Sequence, residues 1–132
     1  MPEKATLAQL EMAQAVVYDY LKPTPEICWP LLSQRCGCEV WVKHENHTSI
    51  GAFKVRGGLN YLNDLCKNNT PVSGIISATR GNHGQSLAFA CAQKGVPLTI
   101  IVPNGNNPEK NQSMKALGAE LLVYGEDFQE AR

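Results

Sequence analysis

The stretch GIISATRGNHGQS, residues 74–86, decides the fold. Its opening, Gly74 to Ser77, is apolar and β-branched, the composition of a short buried strand. Beyond it Leu87, Ala90 and Cys91 recur at helical spacing, and Gly95 supplies a C-cap. Between strand and helix lies a charged, glycine-flanked loop, Thr79-Arg80-Gly81-Asn82-His83. A strand that turns through such a loop into a helix is half of a βαβ unit, the connection that parallel strands require.

Read outward, the same theme continues. Leu98 to Val102 form a second strand bounded by prolines, and Asn107-Pro108-Glu109 opens a helix with an N-cap and a proline at its first position. That helix ends at Gly118, Glu120 to Val123 form a further strand, and Glu126-Asp127 start another helix. Upstream, Val55, Leu59, Leu62 and Cys66 mark a helix, and Glu39 to Lys43 alternate as a strand. Thr6-Leu7-Ala8-Gln9 has the form of a capping box, and Leu7, Leu10, Val17 and Leu21 predict an amphipathic helix over 6–20. Lys22-Pro23-Thr24-Pro25 stops it. Strands alternating with helices specify an α/β fold, a parallel doubly wound sheet with flanking helices. The final helix begins at Gly125 and stops at Arg132, so the domain is expected to be incomplete.

Composition bounds the function. With 132 residues, 43% apolar and 18% charged, the chain fits one globular domain. Twelve basic and twelve acidic side chains cancel, which leaves no polycationic face for nucleic acid or anionic lipid. Met1-Pro2-Glu3-Lys4 leads into no apolar leader and no apolar run reaches bilayer length, so a cytoplasmic location is expected. The five cysteines are scattered and odd in number, which predicts reduced, mostly packing thiols. Cys36-Gly37-Cys38 followed by His44 and His47 is a poor chelate spacing, and no metal is expected.

In a parallel sheet, ligands bind beyond the carboxyl ends of the strands, where helix N-termini present free N–H groups to anions. Two segments belong there: Ser77 to Gln85, and Gly51-Ala52-Phe53-Lys54 at the start of the helix containing Arg56-Gly57-Gly58. Two glycines inside a helix cost about 1 kcal/mol each relative to alanine, which predicts close backbone approach at that point. Lys54 stands at the wrong helix end for the macrodipole. Such a lysine is ordinarily solvated; partly desolvated, its amine forms a Schiff base with a carbonyl. Gly81-Asn82-His83-Gly84 has the form of a GxxG clamp on RNA backbone, but that clamp joins two helices, whereas this loop leaves a strand. Neither nucleotide-phosphate loop pattern is present. His83 reads either as a general base or as a helix-opening residue, and Asn82 offers both a donor and an acceptor in an exposed turn.

Lys43-x-Glu45, Gly51-Ala52-Phe53-Lys54-Val55-Arg56-Gly57-Gly58 and Thr79-Arg80-Gly81-Asn82-His83-Gly84-Gln85 together resemble the fold-type II pyridoxal-phosphate enzymes, and most closely the threonine/serine dehydratases and serine racemase. The resemblance covers nearly the whole chain and implies β-elimination of water from a hydroxy-amino acid, giving a 2-keto acid and ammonia. It implies that Lys54 is the Schiff-base lysine and the base that removes the α-proton. Phe53 then flanks the cofactor and Asn82 bonds its 3′-oxygen, while Thr79, Gly81, Asn82 and His83 form the loop for the substrate's α-carboxylate. It also implies that residues 1–45 belong to a large domain and residues 46–132 to a truncated small cofactor and substrate domain. The glycine-rich phosphate loop then lies beyond Arg132, and the full-length form is a homodimer. Two positions depart from the family. Ala52 stands where serine is common. Arg80 stands where the racemases carry a serine that reprotonates the carbanion; an arginine stays protonated and is a poor acid or base. Arg80 reads either as a contact for a substrate carboxylate, such as the second one of a hydroxyaspartate-like molecule, or as an exposed or internally paired arginine. A racemase or β-replacement synthase of the same family, or a non-catalytic fragment that binds a partner subunit, are the alternative readings.

Overall fold

The capping box at Thr6 forms as its sequence specifies. The Thr6 N–H donates to Gln9 Oε1 at 2.8 Å, and the Gln9 N–H donates to Thr6 Oγ1 at 3.3 Å. The computed structural model describes residues 4–67 and 72–132, so Met1 to Glu3 lie outside the described residues. Helix α1, Leu7–Tyr18, is not amphipathic in the expected sense: Leu7, Leu10 and Met12 are exposed, and Val17 alone is buried. The helix packs against the helix at Lys54–Lys67, and its Val17 joins the core together with the following Leu21.

A small unit follows that the sequence pattern shows only in part. Strand β1, Glu26–Cys28, pairs antiparallel with β2, Trp41–Lys43, setting Glu26 opposite Lys43. Helix α2, Pro30–Cys36, joins them, with proline at its first position and Gly37 in the left-handed region (φ 70°) at its end. The alternation at 39–43 thus belongs to a two-stranded ribbon outside the parallel sheet. Its partner has three residues, too few for alternation to be visible. Helix α2 buries none of its residues, and Trp29, Leu31 and Trp41 are exposed around it.

The larger unit begins with a 3-10 turn, Glu45–His47, and helix α3, Lys54–Lys67. Then come β3 (Ile75–Ala78), α4 (Asn82–Lys94), β4 (Leu98–Val102), α5 (Pro108–Ala116), β5 (Glu120–Val123) and α6 (Phe128–Ala131). The three strands form one parallel sheet in the order β3-β4-β5, with Ile75 opposite Leu98 and Thr99 opposite Glu120. Central β4 buries Leu98, Ile100 and Val102. These pack with Val55, Leu59 and Leu62 of α3, Leu87 and Cys91 of α4 and Met114 of α5 in one core. The expected cap at Asn107 holds, its Oδ1 accepting the Lys110 N–H at 3.0 Å, while at the last helix Asp127 Oδ1 accepts the N–H groups of Gln129 and Glu130. Asp127 is therefore the cap of the last helix and not part of its first turn.

Burial raises the Cys91 thiol above its ordinary range, as befits a packing residue. Cys36 and Cys38, in contrast, are exposed, so the packing role does not extend to them. No helix among the described residues is long and apolar enough to cross a membrane.

Candidate active site

The site lies where two helix starts meet. Helix α4 leaves the carboxyl end of β3 through Thr79-Arg80-Gly81, and no side chain caps its first turn. The first N–H groups of a helix have no intrahelical partner, so those of Asn82, His83 and Gly84 make this turn an anion-binding end. Thr79 is buried and shapes the loop. Its N–H donates to the Ile101 carbonyl at 3.0 Å and its hydroxyl accepts the Gly81 N–H at 3.3 Å.

Helix α3 brings Lys54 to the same place. The turn before it closes on Thr48, whose hydroxyl donates to the Ala52 carbonyl at 2.9 Å and accepts the Ala52 N–H at 3.0 Å. The Lys54 ammonium is exposed and sits 5.2 Å from the centroid of the exposed Phe53 ring. Its carbonyl accepts a 2.6 Å hydrogen bond from Ser86, a fully buried serine on α4. At that level α3 carries Gly58. A Cβ there would overlap the Ser86 hydroxyl and lie 2.8 Å from the Ser86 carbonyl oxygen. The close approach expected from Gly57-Gly58 is thus real for Gly58, while Gly57 faces open space. A cavity of about 430 Å³ opens beside it, lined by Lys54, Gly57, Gly58, Tyr61 and His83 among others. The sequence-derived lysine and the start of α4 therefore share one cavity.

The Ser86 contact predicts a specific result. Ser86→Ala leaves the Lys54 carbonyl in the first turn of α3 without its partner, at a cost of about 1–2 kcal/mol. Chemical denaturation checks the value, and hydrogen exchange should show the loss at the start of α3 before elsewhere.

A second anchor fixes the entry to α3. Arg56, in its first turn, grips Glu45 with Nε at 2.7 Å from Oε2 and a second guanidinium nitrogen at 2.9 Å from Oε1. The Thr24 hydroxyl donates to Glu45 Oε1 at 2.6 Å. Both charged partners are mostly removed from water, with side-chain exposures of 24% for Arg56 and 19% for Glu45. The guanidinium, helped by the Thr24 hydroxyl, holds the Glu45 carboxyl down to about 2 against the opposing effect of burial. The Lys43-x-Glu45 element thus ties the ribbon β1-β2 to the lysine-bearing helix.

The remaining site residues divide. His83 is exposed and lines the cavity. Asn82 is exposed, and its Oδ1 accepts a 2.9 Å bond from Lys110 Nζ of α5. Arg80 is exposed, is not among the residues that line the cavity, and forms no ion pair or side-chain hydrogen bond among the described residues. Ser86, Glu45 and Lys110 carry no role in the sequence reading. Lys110 had a signal, since a lysine in a first turn opposes the helix dipole and needs another reason to be there.

Comparison with known proteins shows which sequences and folds the chain is similar to. The chain is 36% identical over 117 residues to the mitochondrial threonine dehydratase of Schizosaccharomyces pombe, covering 88% of this chain and 19% of that protein. It is 34% identical over 127 residues to the biosynthetic L-threonine dehydratase of Corynebacterium glutamicum, covering 94% of this chain and 29% of that one. Its fold superimposes on a pyridoxal 5′-phosphate-dependent aspartate racemase with a TM-score of 0.85 at 27% identity, covering 95% of this chain and 40% of that one. The chain thus spans less than half the length of each. The family model for pyridoxal-phosphate dependent enzymes matches residues 17–132, and the chain belongs to that family.

Proposed function

We propose that the chain is the cofactor-lysine portion of a threonine/serine dehydratase-like lyase that removes water from a hydroxy-amino acid to give a 2-keto acid and ammonia. The observation that carries this reading is the shared cavity of Lys54 and the uncapped start of α4. The residues present fit the cofactor's aldehyde and ring: an exposed primary amine, an aromatic face beside it and an amide donor on the neighbouring helix. Pyridoxal phosphate, when bound, supplies the electron sink for a carbanion at Cα.

The chain's own groups divide the remaining work. Lys54 Nζ would hold the cofactor through its aldehyde carbon and would be the base that takes the proton from Cα. Net, that α-proton and the β-hydroxyl would leave as one molecule of water, and a second water would be consumed as the nitrogen is released, giving keto acid and ammonia. The N–H groups of Asn82, His83 and Gly84 hold the α-carboxylate, within the loop shaped by Thr79 and Gly81, and fix the Cα–H bond toward the lysine. Phe53 would flank the ring and the Asn82 amide would donate to its 3′-oxygen. Arg80 would meet a second substrate carboxylate, and its permanent charge disfavours a reprotonating role, which weighs against racemisation.

The test is a titration. Added pyridoxal phosphate should turn the chain yellow, Lys54→Ala should abolish the colour, and L-threonine or L-serine should shift the absorption. Colour that persists unchanged in Lys54→Ala contradicts the reading.

A further inference from the structure

Lysine offers three donors and no acceptor, so an ammonium that faces a carboxamide can face only its oxygen. Lys110 Nζ lies 2.9 Å from Asn82 Oδ1. That contact removes the usual ambiguity of an amide's orientation and turns Asn82 Nδ2, the donor, away from α5. The arrangement is held at both ends. The Lys110 N–H is capped by Asn107 Oδ1, and the Lys110 stem lies along Gly81, 3.5 Å from where a Cβ would stand. One turn into α4, Gly84 lies so close to Met114 of α5 that a Cβ would collide with its sulfur. Helices α4 and α5 therefore cannot slide apart or past each other without disturbing this pair.

We infer that Lys110 is a positioning residue: it holds the Asn82 carboxamide with its N–H₂ group toward the cofactor's 3′-oxygen and, through it, places a positive charge one hydrogen bond away. The inference rests on the proposed cofactor site and adds a residue to it. A cation on the carbonyl side polarises the amide and strengthens its donor. The 3′-oxygen is thereby favoured in its deprotonated form. This also accounts for a lysine in the first turn of α5, where the helix dipole alone disfavours it.

The test uses the chain, pyridoxal phosphate as probe, and Lys110→Met, which keeps the stem over Gly81 and removes the charge. Two readouts are followed: the Asn82 Nδ2 resonances by NMR, and labelling of Lys54 after borohydride reduction. In the unsubstituted chain, pyridoxal phosphate shifts the Asn82 amide. In Lys110→Met the amide should lose most of that shift and the probe should bind about tenfold more weakly, the value of one charge-assisted hydrogen bond. Lys110→Arg should restore much of both. Equal Asn82 shifts and equal binding in the unsubstituted chain and Lys110→Met overturn the inference alone. Absence of Lys54 labelling in the unsubstituted chain overturns the cofactor reading and the inference with it.

Discussion

Gly58→Ala is expected to destabilise the chain by about 3 kcal/mol, at the upper end for one added methyl group. The reason is what the methyl meets. Its position coincides with the Ser86 hydroxyl and lies 2.8 Å from the Ser86 carbonyl oxygen and 3.1 Å from its carbon. Rotating the serine away relieves only the first clash, because the other two atoms are backbone. Helices α3 and α4 must then separate, and the hydrogen bond from Ser86 to the Lys54 carbonyl is broken. Alanine's better helix propensity returns at most about 1 kcal/mol. Gly57→Ala is the internal control. It gains the same propensity and meets nothing within 4 Å. Urea denaturation of the two variants should therefore move in opposite directions. Equal stabilities would show that the helices do not meet through Gly58.

Glu45→Ala comes next, with an expected loss of about 2–3 kcal/mol. An exposed pair would be worth about 1 kcal/mol or less. This one is bidentate, mostly shielded and bonded also to Thr24, so removal strands both a guanidinium and a hydroxyl. The same contact predicts an acid dependence. The Glu45 carboxyl titrates near 2 in the folded chain against an ordinary 4.5. Its contribution is therefore complete above about pH 4.5 and is lost as pH falls toward about 2. Glu45→Gln removes the titrating group. The stability gap between the unsubstituted chain and Glu45→Gln should accordingly narrow over that window and stay constant above it. A gap independent of pH down to the acid limit contradicts the bridge.

What could be read from sequence was what is locally encoded. The boxes at Thr6 and Asn107 and the stop at Gly95 lie within a few residues of the elements they delimit, and those elements appear where expected. The short ribbon strand at Glu26–Cys28 and helix α2 were not legible, since three alternating residues and a helix with no buried face leave no period to detect. The site divides in the same way. Lys54 and Asn82 stand out through a recognisable motif and a strand-to-helix loop. The contacts that position them span 11 residues for Glu45 and Arg56, 28 for Asn82 and Lys110, and 32 for Lys54 and Ser86. No local pattern encodes pairs at such separations. Of their local side effects, the glycine inside α3 is read from the sequence, while the lysine at the wrong end of α5 is not.

The central claim is that Lys54, among all the lysines, is the one that carries the cofactor. Incubating the chain with pyridoxal phosphate, reducing with borohydride and mapping the labelled peptide by mass spectrometry tests it directly. The account predicts that the label falls on the peptide containing Lys54, and that Lys54→Ala leaves no single dominant site. Label spread evenly over the surface lysines, or concentrated on Lys43 or Lys110, would contradict it.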